Sequence, residues 1–193
     1  MFNYRIDREV ELQVLEAGDA EELFLLTDAN RRCLRQWMPW IDGTQTVEDS
    51  RAFIEHARQR WARGEGITAG IIADGSLCGV IDHHGLSTLN RSAAIGYWLG
   101  EPYQGRGIMT RACRGMIDYA FRSLGMHRVE IRAGVDNRRS RAVPERLGFT
   151  MEGVARGAQR LYGVYIDLAV YSMLATEWPP SGQAVAEAGP SPS

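Results

Sequence analysis

The hydrophobic positions change period along the chain, and those changes delimit its elements. Val10–Leu15 alternates apolar and polar residues as a half-buried strand does. From Asp19, a residue type suited to capping, through Asn30, apolar positions such as Leu23 and Leu26 share one helical face. A turn-rich stretch with exposed aromatics follows, Trp37-Met38-Pro39-Trp40. Thr46-Val47-Glu48-Asp49 then opens a second helix to about Arg63, with Phe53, Ile54, Ala57 and Trp61 apolar. Beyond it the pattern becomes strand-like. Ile67–Ala73 and Leu77–His84 flank Asp74-Gly75-Ser76, a hairpin signal because Asp-Gly suits a tight turn. Leu86–Ser92 is polar, and Ala93–Leu99 is a third strand. Gly105 to about Leu124 reads as a helix with Ile108, Ala112, Met116, Ile117, Ala120 and Phe121 apolar. Arg128–Val135 is a strand, Ser140–Leu147 a short helix, and Phe149–Val154 and Val164–Leu174 are further strands. The stretch from Pro179 onward has too few apolar residues for a core and predicts a disordered tail over 179–193. The order (strand, two helices, three strands, helix, strand, helix, two strands) contains no internal repeat and predicts one mixed α/β domain over residues 1–178.

Composition narrows the class. The chain has 193 residues, 45% hydrophobic and 24% charged, as expected of one ordinary globular domain. No run approaches the roughly 18 apolar residues of a membrane span, and Met1–Asp7 lacks the layout of a signal peptide. The scattered Cys33, Cys78 and Cys113 form no C-x-x-C pair, which predicts a reduced, cytoplasmic protein. All 22 basic side chains are arginine; there is no lysine. Schiff-base chemistry, lysine bases and the P-loop lysine are therefore excluded, and with them pyridoxal enzymes, class I aldolases and Walker-type ATPases.

The charge is unevenly placed. Residues 1–100 carry 10 Arg against 15 acids (−5), and residues 101–193 carry 12 Arg against 9 acids (+3), much of it in Arg106–Arg114 and Arg138–Arg146. A pI of about 6.1 argues against a nucleic-acid partner. Localised arginine in a near-neutral chain fits a small phosphorylated ligand better.

The stretch that carries chemistry is Ile95-Gly96-Tyr97-Trp98-Leu99, a short loop, then Gln104-Gly105-Arg106-Gly107-Ile108-Met109-Thr110. Strand, glycine turn and helix N-terminus together form an anion site, because glycines admit close approach and the first helical amides lack intrahelical partners. Arg106 and Arg111 can add charge. A Walker loop is excluded by the missing lysine. A Rossmann turn fits poorly, since the third glycine is replaced by Thr110 and no acidic residue closes a second strand about 20 positions on. The pyrophosphate turn of an acetyl-CoA enzyme and a plain tight turn remain.

This segment resembles the Gln/Arg-x-x-Gly-x-Gly/Ala signature of the GNAT acetyltransferases, in particular the RimJ/RimL branch. The likeness extends to Asn90-Arg91 before Ile95-Gly96-Tyr97-Trp98, to Asp136-Asn137-x-x-Ser140, and to Leu147-Gly148-Phe149-Thr150-Met151-Glu152-Gly153. It closes with Tyr165-Ile166-Asp167 before Tyr171-Ser172-Met173-Leu174, and spans roughly residues 8–178. Within the branch the chain is most similar to bacterial ribosomal-protein-serine acetyltransferases. Met109 departs from the superfamily's Gly or Ala.

The resemblance implies the GNAT acyl-CoA N-acyltransferase fold, a mixed, mostly antiparallel sheet splayed at the CoA site and flanked by helices. It implies acetyl-CoA as co-substrate, no metal, no membrane partner, and a homodimer or higher homo-oligomer. The acceptor expected is a protein N-terminal α-amine, possibly of a ribosomal protein. A small amine (amino acid, polyamine or antibiotic) and a non-catalytic acyl-CoA sensor are the alternatives. The backbone of Gln104, Gly105, Arg106, Gly107, Ile108, Met109 and Thr110 is expected to hold pyrophosphate, and Tyr97, Trp98 and Leu99 to pair with the pantetheine arm. A backbone N–H near Trp98 or Leu99 is expected to serve the oxyanion. Asn137 resembles a pantetheine-contacting asparagine, with an ordinary turn residue as the other reading.

Ser140 is the expected acid for the CoA thiolate, with helix capping as its other reading. The base is less legible. Relatives that act on the ribosomal stalk carry a carboxylate seven residues after the Glu152 position, where this chain has Gln159. His84, which alternates to the same face as Asp82, is the preferred candidate; Glu152 is another. Trp37, Trp40 and Trp61 belong to the region that walls the acceptor site in this fold, where core packing is the competing role. Cys78 and Cys113 read as structural.

Overall fold

The computed structural model describes residues 3–179, so nearly all of the tail expected over 179–193 lies outside the described residues. The strands are β1 (Asn3–Arg5), β2 (Val10–Val14), β3 (Thr68–Ala73), β4 (Ser76–Ser87), β5 (Ser92–Leu99), β6 (Arg128–Gly134), β7 (Thr150–Leu161) and β8 (Val164–Leu174). They form one sheet in the order β1-β2-β3-β4-β5-β6-β8-β7. Every neighbouring pair is antiparallel except β5–β6, which is parallel. The helices are α1 (Ala20–Ala29), α2 (Arg31–Leu34), α3 (Val47–Ala62), α4 (Ile108–Arg122) and α5 (Arg138–Arg146).

Alternation along the strands separates two apolar layers. On one face Ala112, Cys113, Met116, Ile117 and Ala120 of α4 are fully buried against Ile71, Ile81, Ile95 and Ile131 of the sheet. On the other, Leu23 of α1 and Ile54 of α3 pack with Leu77, Val80 and Trp98. Helix α3 begins at a reciprocal cap: the Asp49 amide donates to Thr46 Oγ1 at 3.3 Å and the Thr46 amide to Asp49 Oδ2 at 2.8 Å. Asp19 differs from expectation. Its carboxylate accepts from the Glu16 amide at 2.7 Å, closing a single 3-10 turn (Ala17–Asp19) ahead of α1.

The structure adds β1 and α2, too short to leave a periodic signal, and lengthens β7 from the expected end at Val154 to Leu161. The extension is an edge strand, largely exposed and interrupted by register shifts between Ala155 and Gln159, so it shows no clean two-residue alternation. Helix α4 starts at Ile108, since Gly105 and Gly107 belong to the turn before it, and α5 starts at Arg138, before the expected Ser140.

One polar side chain is sealed inside the α4 face. His83 is fully buried and its ring stacks on Tyr119 at 6.2 Å between centroids. Neither ring nitrogen makes a hydrogen bond of good geometry. Burial pushes its pKa down to about 4, opposed in part by Asp82 and by the Met116 backbone. The folded state thus keeps this imidazole neutral while the unfolded chain takes up a proton below its ordinary value of about 6.5. Stability is therefore fully present above pH ~6.5 and falls, by about 3 kcal/mol in all, as pH drops towards 4. Urea midpoints between pH 4 and 8 should show this limb in the wild type and a flatter one in His83→Phe; equal slopes would rule the assignment out.

Candidate active site

The parallel junction is where the sheet opens. Strands β5 and β6 pair from Ser92–Arg128 to Ile95–Ile131, and there the register ends. Strand β5 nevertheless continues to Leu99, bonded to β4 on its other edge, and β6 to Gly134, bonded to β8. Two facing strand edges are left splayed, and the edge of β5 over Tyr97–Leu99 that β6 no longer covers can take an extended amide-bearing chain as a further strand. A cleft of about 680 Å³ runs through this opening. Tyr97, Asn137 and Ser140 line it beside the split; Asp82, His84 and Trp98 line it on the α1–α3 side.

Past Leu99 the chain turns back into α4 through two left-handed glycines, Gly105 (φ 77°) and Gly107 (φ 72°), the latter at the helix N-cap. A Cβ built on either meets no atom within 4 Å, so the turn lies open to an approaching ligand. The first bond of the helix runs from the Arg111 amide to the Gly107 carbonyl, 3.1 Å, which leaves the amides of Ile108, Met109 and Thr110 available for an anion. The side chains of Ile108 and Met109 are buried, so only their backbone can serve a ligand. The same holds for Leu99, whose side chain sits in the core. Gln104 braces the turn: its Nε2 donates to the Leu99 carbonyl at 3.1 Å and its Oε1 accepts from Arg139 at 2.9 Å. The two arginines expected to add charge are paired with acids, Arg106 with Asp74 (2.7 Å) and Arg111 with Asp7 (2.9 Å) and Glu9 (3.1 Å).

Across the split, Asn137 caps α5 by accepting the Ser140 amide on Oδ1 at 3.1 Å. The capping role considered for Ser140 therefore belongs to Asn137, and Ser140, in the first turn, keeps its hydroxyl for other partners. Tyr97 bridges the two sides: its hydroxyl donates to the Ser140 carbonyl at 2.9 Å and stands 3.4 Å from Ser140 Oγ. Burial raises the Tyr97 pKa far above the ordinary phenol value, so the ring carries a neutral hydroxyl at this junction. The bridge was not legible in the sequence, because Tyr97 and Ser140 belong to distant segments.

The α1–α3 side of the cleft has an aromatic roof. Trp40 tilts against Trp98 at 6.1 Å, and the Trp37 ring lies over Gly134 of β6. The roof is tied down by Gln159 Nε2 on the Trp37 carbonyl (3.1 Å), by the Tyr162 hydroxyl on the Met38 carbonyl (2.7 Å), and by Arg31 on the carbonyls of Ile41 and Thr44 (2.7 Å each). Gln159 thus lines the cleft and anchors its roof. Trp61 packs on the core cluster instead. Glu152 lies elsewhere, bound by Arg128 and Ser172, and the Arg128 guanidinium holds its carboxyl down at about 2. A carboxylate so stabilised as an anion is a poor base. Burial pushes the Cys78 thiol up to about 12 and raises Cys113 as well, which removes a thiolate route through either.

His84 is half-exposed in the cleft, with Nδ1 3.3 Å from Asp82 Oδ2. The sequence-predicted groups are therefore gathered at one opening: strand edge, turn and helix N-terminus, with Ser140 and Asn137 beside the split and His84 on the α1–α3 side.

Comparison with known proteins agrees with this geometry. The chain matches the Acetyltransferase (GNAT) domain over residues 9–150. It is 42% identical over 179 residues to YdaF of Bacillus subtilis, covering 92% of this chain and 98% of that protein. It is 31% identical over 170 residues to the ribosomal-protein-serine acetyltransferase of Escherichia coli, covering 88% and 95%. Among solved structures, the RimL ribosomal L7/L12 α-N-protein acetyltransferase in complex with coenzyme A superposes with a TM-score of 0.86 at 28% identity, over 90% of this chain and 98% of that one. The splayed β5–β6 junction, the glycine turn into α4 and these relatives agree, and the chain belongs to the GNAT acetyltransferases, in their RimJ/RimL branch.

Proposed function

We propose that this enzyme moves an acetyl group from acetyl-CoA to a protein N-terminal α-amine, such as that of a ribosomal protein, by direct attack of the amine on the thioester. The observation that carries the reading is a cleft passing through the split sheet, with Ser140 at the side of the CoA elements and His84 at the side of the aromatic wall. The E. coli relative and RimL, both named for ribosomal-protein acceptors, favour this acceptor class. The turn amides hold pyrophosphate, the Tyr97–Leu99 edge and Asn137 hold the pantetheine amides, and an amide near Trp98 or Leu99 donates to the oxyanion.

The chemistry balances within the cleft. His84 takes a proton from the incoming ammonium, and the neutral nitrogen attacks the thioester carbonyl carbon. On collapse the C–S bond breaks and its electron pair stays on sulfur. The thiolate takes a proton from Ser140, which regains one from the nitrogen now bonded to the acyl carbon. An α-amine with an ordinary pKa of about 8 is already partly neutral at pH 7, so a moderate base suffices and no carboxylate is needed at Gln159. A cytoplasmic homodimer is part of the same reading.

Thiol release should be measured over a panel of N-terminal peptides, spermidine and free amino acids. Turnover with the peptides supports the reading; turnover confined to small amines replaces the acceptor class; CoA binding with no turnover on any acceptor makes the protein a sensor. Ser140→Ala should lower kcat by about 10²-fold and leave CoA affinity within about twofold. A loss of stability alone would leave Ser140 no part in the chemistry.

A further inference from the structure

On the α1–α3 side of the cleft, His84 has a carboxylate beside it. Among the described residues, Asp82 is the one carboxylate lining the cleft. It sits two residues before His84 on β4, on the same face, and its Oδ2 is 3.3 Å from His84 Nδ1. The pair lies over Gly96 of β5, the register partner of Asp82. A Cβ at Gly96 would stand 2.7 Å from Asp82 Oδ1 and 3.2 Å from His84 Cε1. Any larger residue there would push the carboxylate off the imidazole. The remaining charged groups nearby have partners of their own. Arg60 of α3 donates to the His83 carbonyl at 3.0 Å, and Arg132 and Glu130 of β6 pair at 2.6 Å. Among the described residues no guanidinium pairs with Asp82, and its carboxylate is paired with the His84 imidazole.

We propose that Asp82 is the positioning residue for His84: its carboxylate holds the Nδ1 proton, so that Nε2 presents its lone pair to the acceptor nitrogen. A neutral imidazole has one donor and one acceptor nitrogen, and the partner of one nitrogen decides the role of the other. In this tautomer the proton from the ammonium goes to Nε2, forming an imidazolium beside the Asp82 carboxylate; after acyl transfer the imidazolium returns that proton to water. The 3.3 Å separation is long for a hydrogen bond, as catalytic contacts commonly are before the acceptor is bound. The competing role for the same carboxylate is to bind the acceptor ammonium directly.

The proposal rests on the acyl-transfer reading of the cleft, so its test has one arm that needs no turnover. In ligand-free enzyme, ¹⁵N spectra of the His84 ring should show the Nδ1–H tautomer as the main neutral form, and Asp82→Asn should move the population away from it. A wild-type ring protonated mainly on Nε2, or a tautomer unchanged in Asp82→Asn, overturns the proposal whether or not an acceptor has been found. In steady-state assays with an acceptor peptide, Asp82→Asn, His84→Gln and the double variant should each lose about 10²-fold in kcat, with KM within about threefold of wild type. The double variant should be no worse than His84→Gln alone, because residues acting as a unit are not additive. Asp82→Glu should recover part of the rate. A rise in KM with kcat unchanged in Asp82→Asn assigns the carboxylate to ammonium binding and overturns the positioning role. Thermal shifts with CoA, expected to equal wild type in each variant, separate these outcomes from misfolding.

Discussion

Gly107→Glu should fold and yet bind CoA about 10²–10³-fold more weakly than the wild type, a difference of roughly 3–4 kcal/mol. Three effects act together. The residue sits at φ 72°, where a side-chain-bearing residue is strained by about 1–2 kcal/mol. Its Cβ would meet nothing within 4 Å, so the fold accommodates the side chain, but that space is where the anion must approach. A carboxylate placed there opposes the pyrophosphate charge at the helix end, where the dipole otherwise favours it. Gly107→Ala separates the contributions, since it keeps the strain and omits the charge and most of the bulk. Calorimetry on the two variants tests the assignment: wild-type affinity in a folded Gly107→Glu protein would move the pyrophosphate site elsewhere.

Ile117→Ala should reduce stability by about 3 kcal/mol. Ile117 is fully buried in the middle of α4, between the sheet and its neighbours on the helix face, and its truncation leaves a cavity that close-packed surroundings fill only in part. For a chain of this size the midpoint should fall by about 6–12 °C. Because α4 also carries the proposed pyrophosphate amides, ligand should counteract the loss. CoA at a hundred times its dissociation constant adds about 2.7 kcal/mol to any state that binds it, which nearly restores the wild-type midpoint. Gly107→Glu should show no such rescue at the same CoA concentration. A midpoint for Ile117→Ala within about 2 °C of wild type would mean that this face of α4 is loosely packed.

Most of the architecture was legible because long, half-buried elements leave strong periodic signals. The α3 cap, the Asp74-Gly75 hairpin and the buried stripe of α4 each appear where the pattern put them. The strand edge, turn and helix N-terminus were legible for a related reason: they follow one another within residues 95–110, so their geometry is local. The aromatic-roofed side of the cleft was not. It is assembled from Trp37, Trp40, Asp82, His84 and Gln159, which come from separate segments, and its anchoring depends on side chain to carbonyl bonds that no spacing encodes. Asn137 and Ser140 are an intermediate case. Their proximity was legible, but which of them caps α5 depended on a helix start two residues earlier than the pattern indicated.

The pairing of β2 with β3 has a consequence for how such an enzyme diversifies. Val10–Val14 and Ala69–Ala73 are hydrogen-bonded neighbours, so a short hairpin would join them. The chain instead leaves the sheet at residue 15 and returns at residue 67, and along that excursion it supplies α1, α2, α3 and the tryptophan roof. The cost of closing a loop rises only slowly with its length, so this insertion can lengthen, shorten or change sequence while the sheet stays closed. Residues 15–67, and the tryptophan roof with them, are thereby free to change while the splayed strands and the glycine turn into α4 are inherited intact.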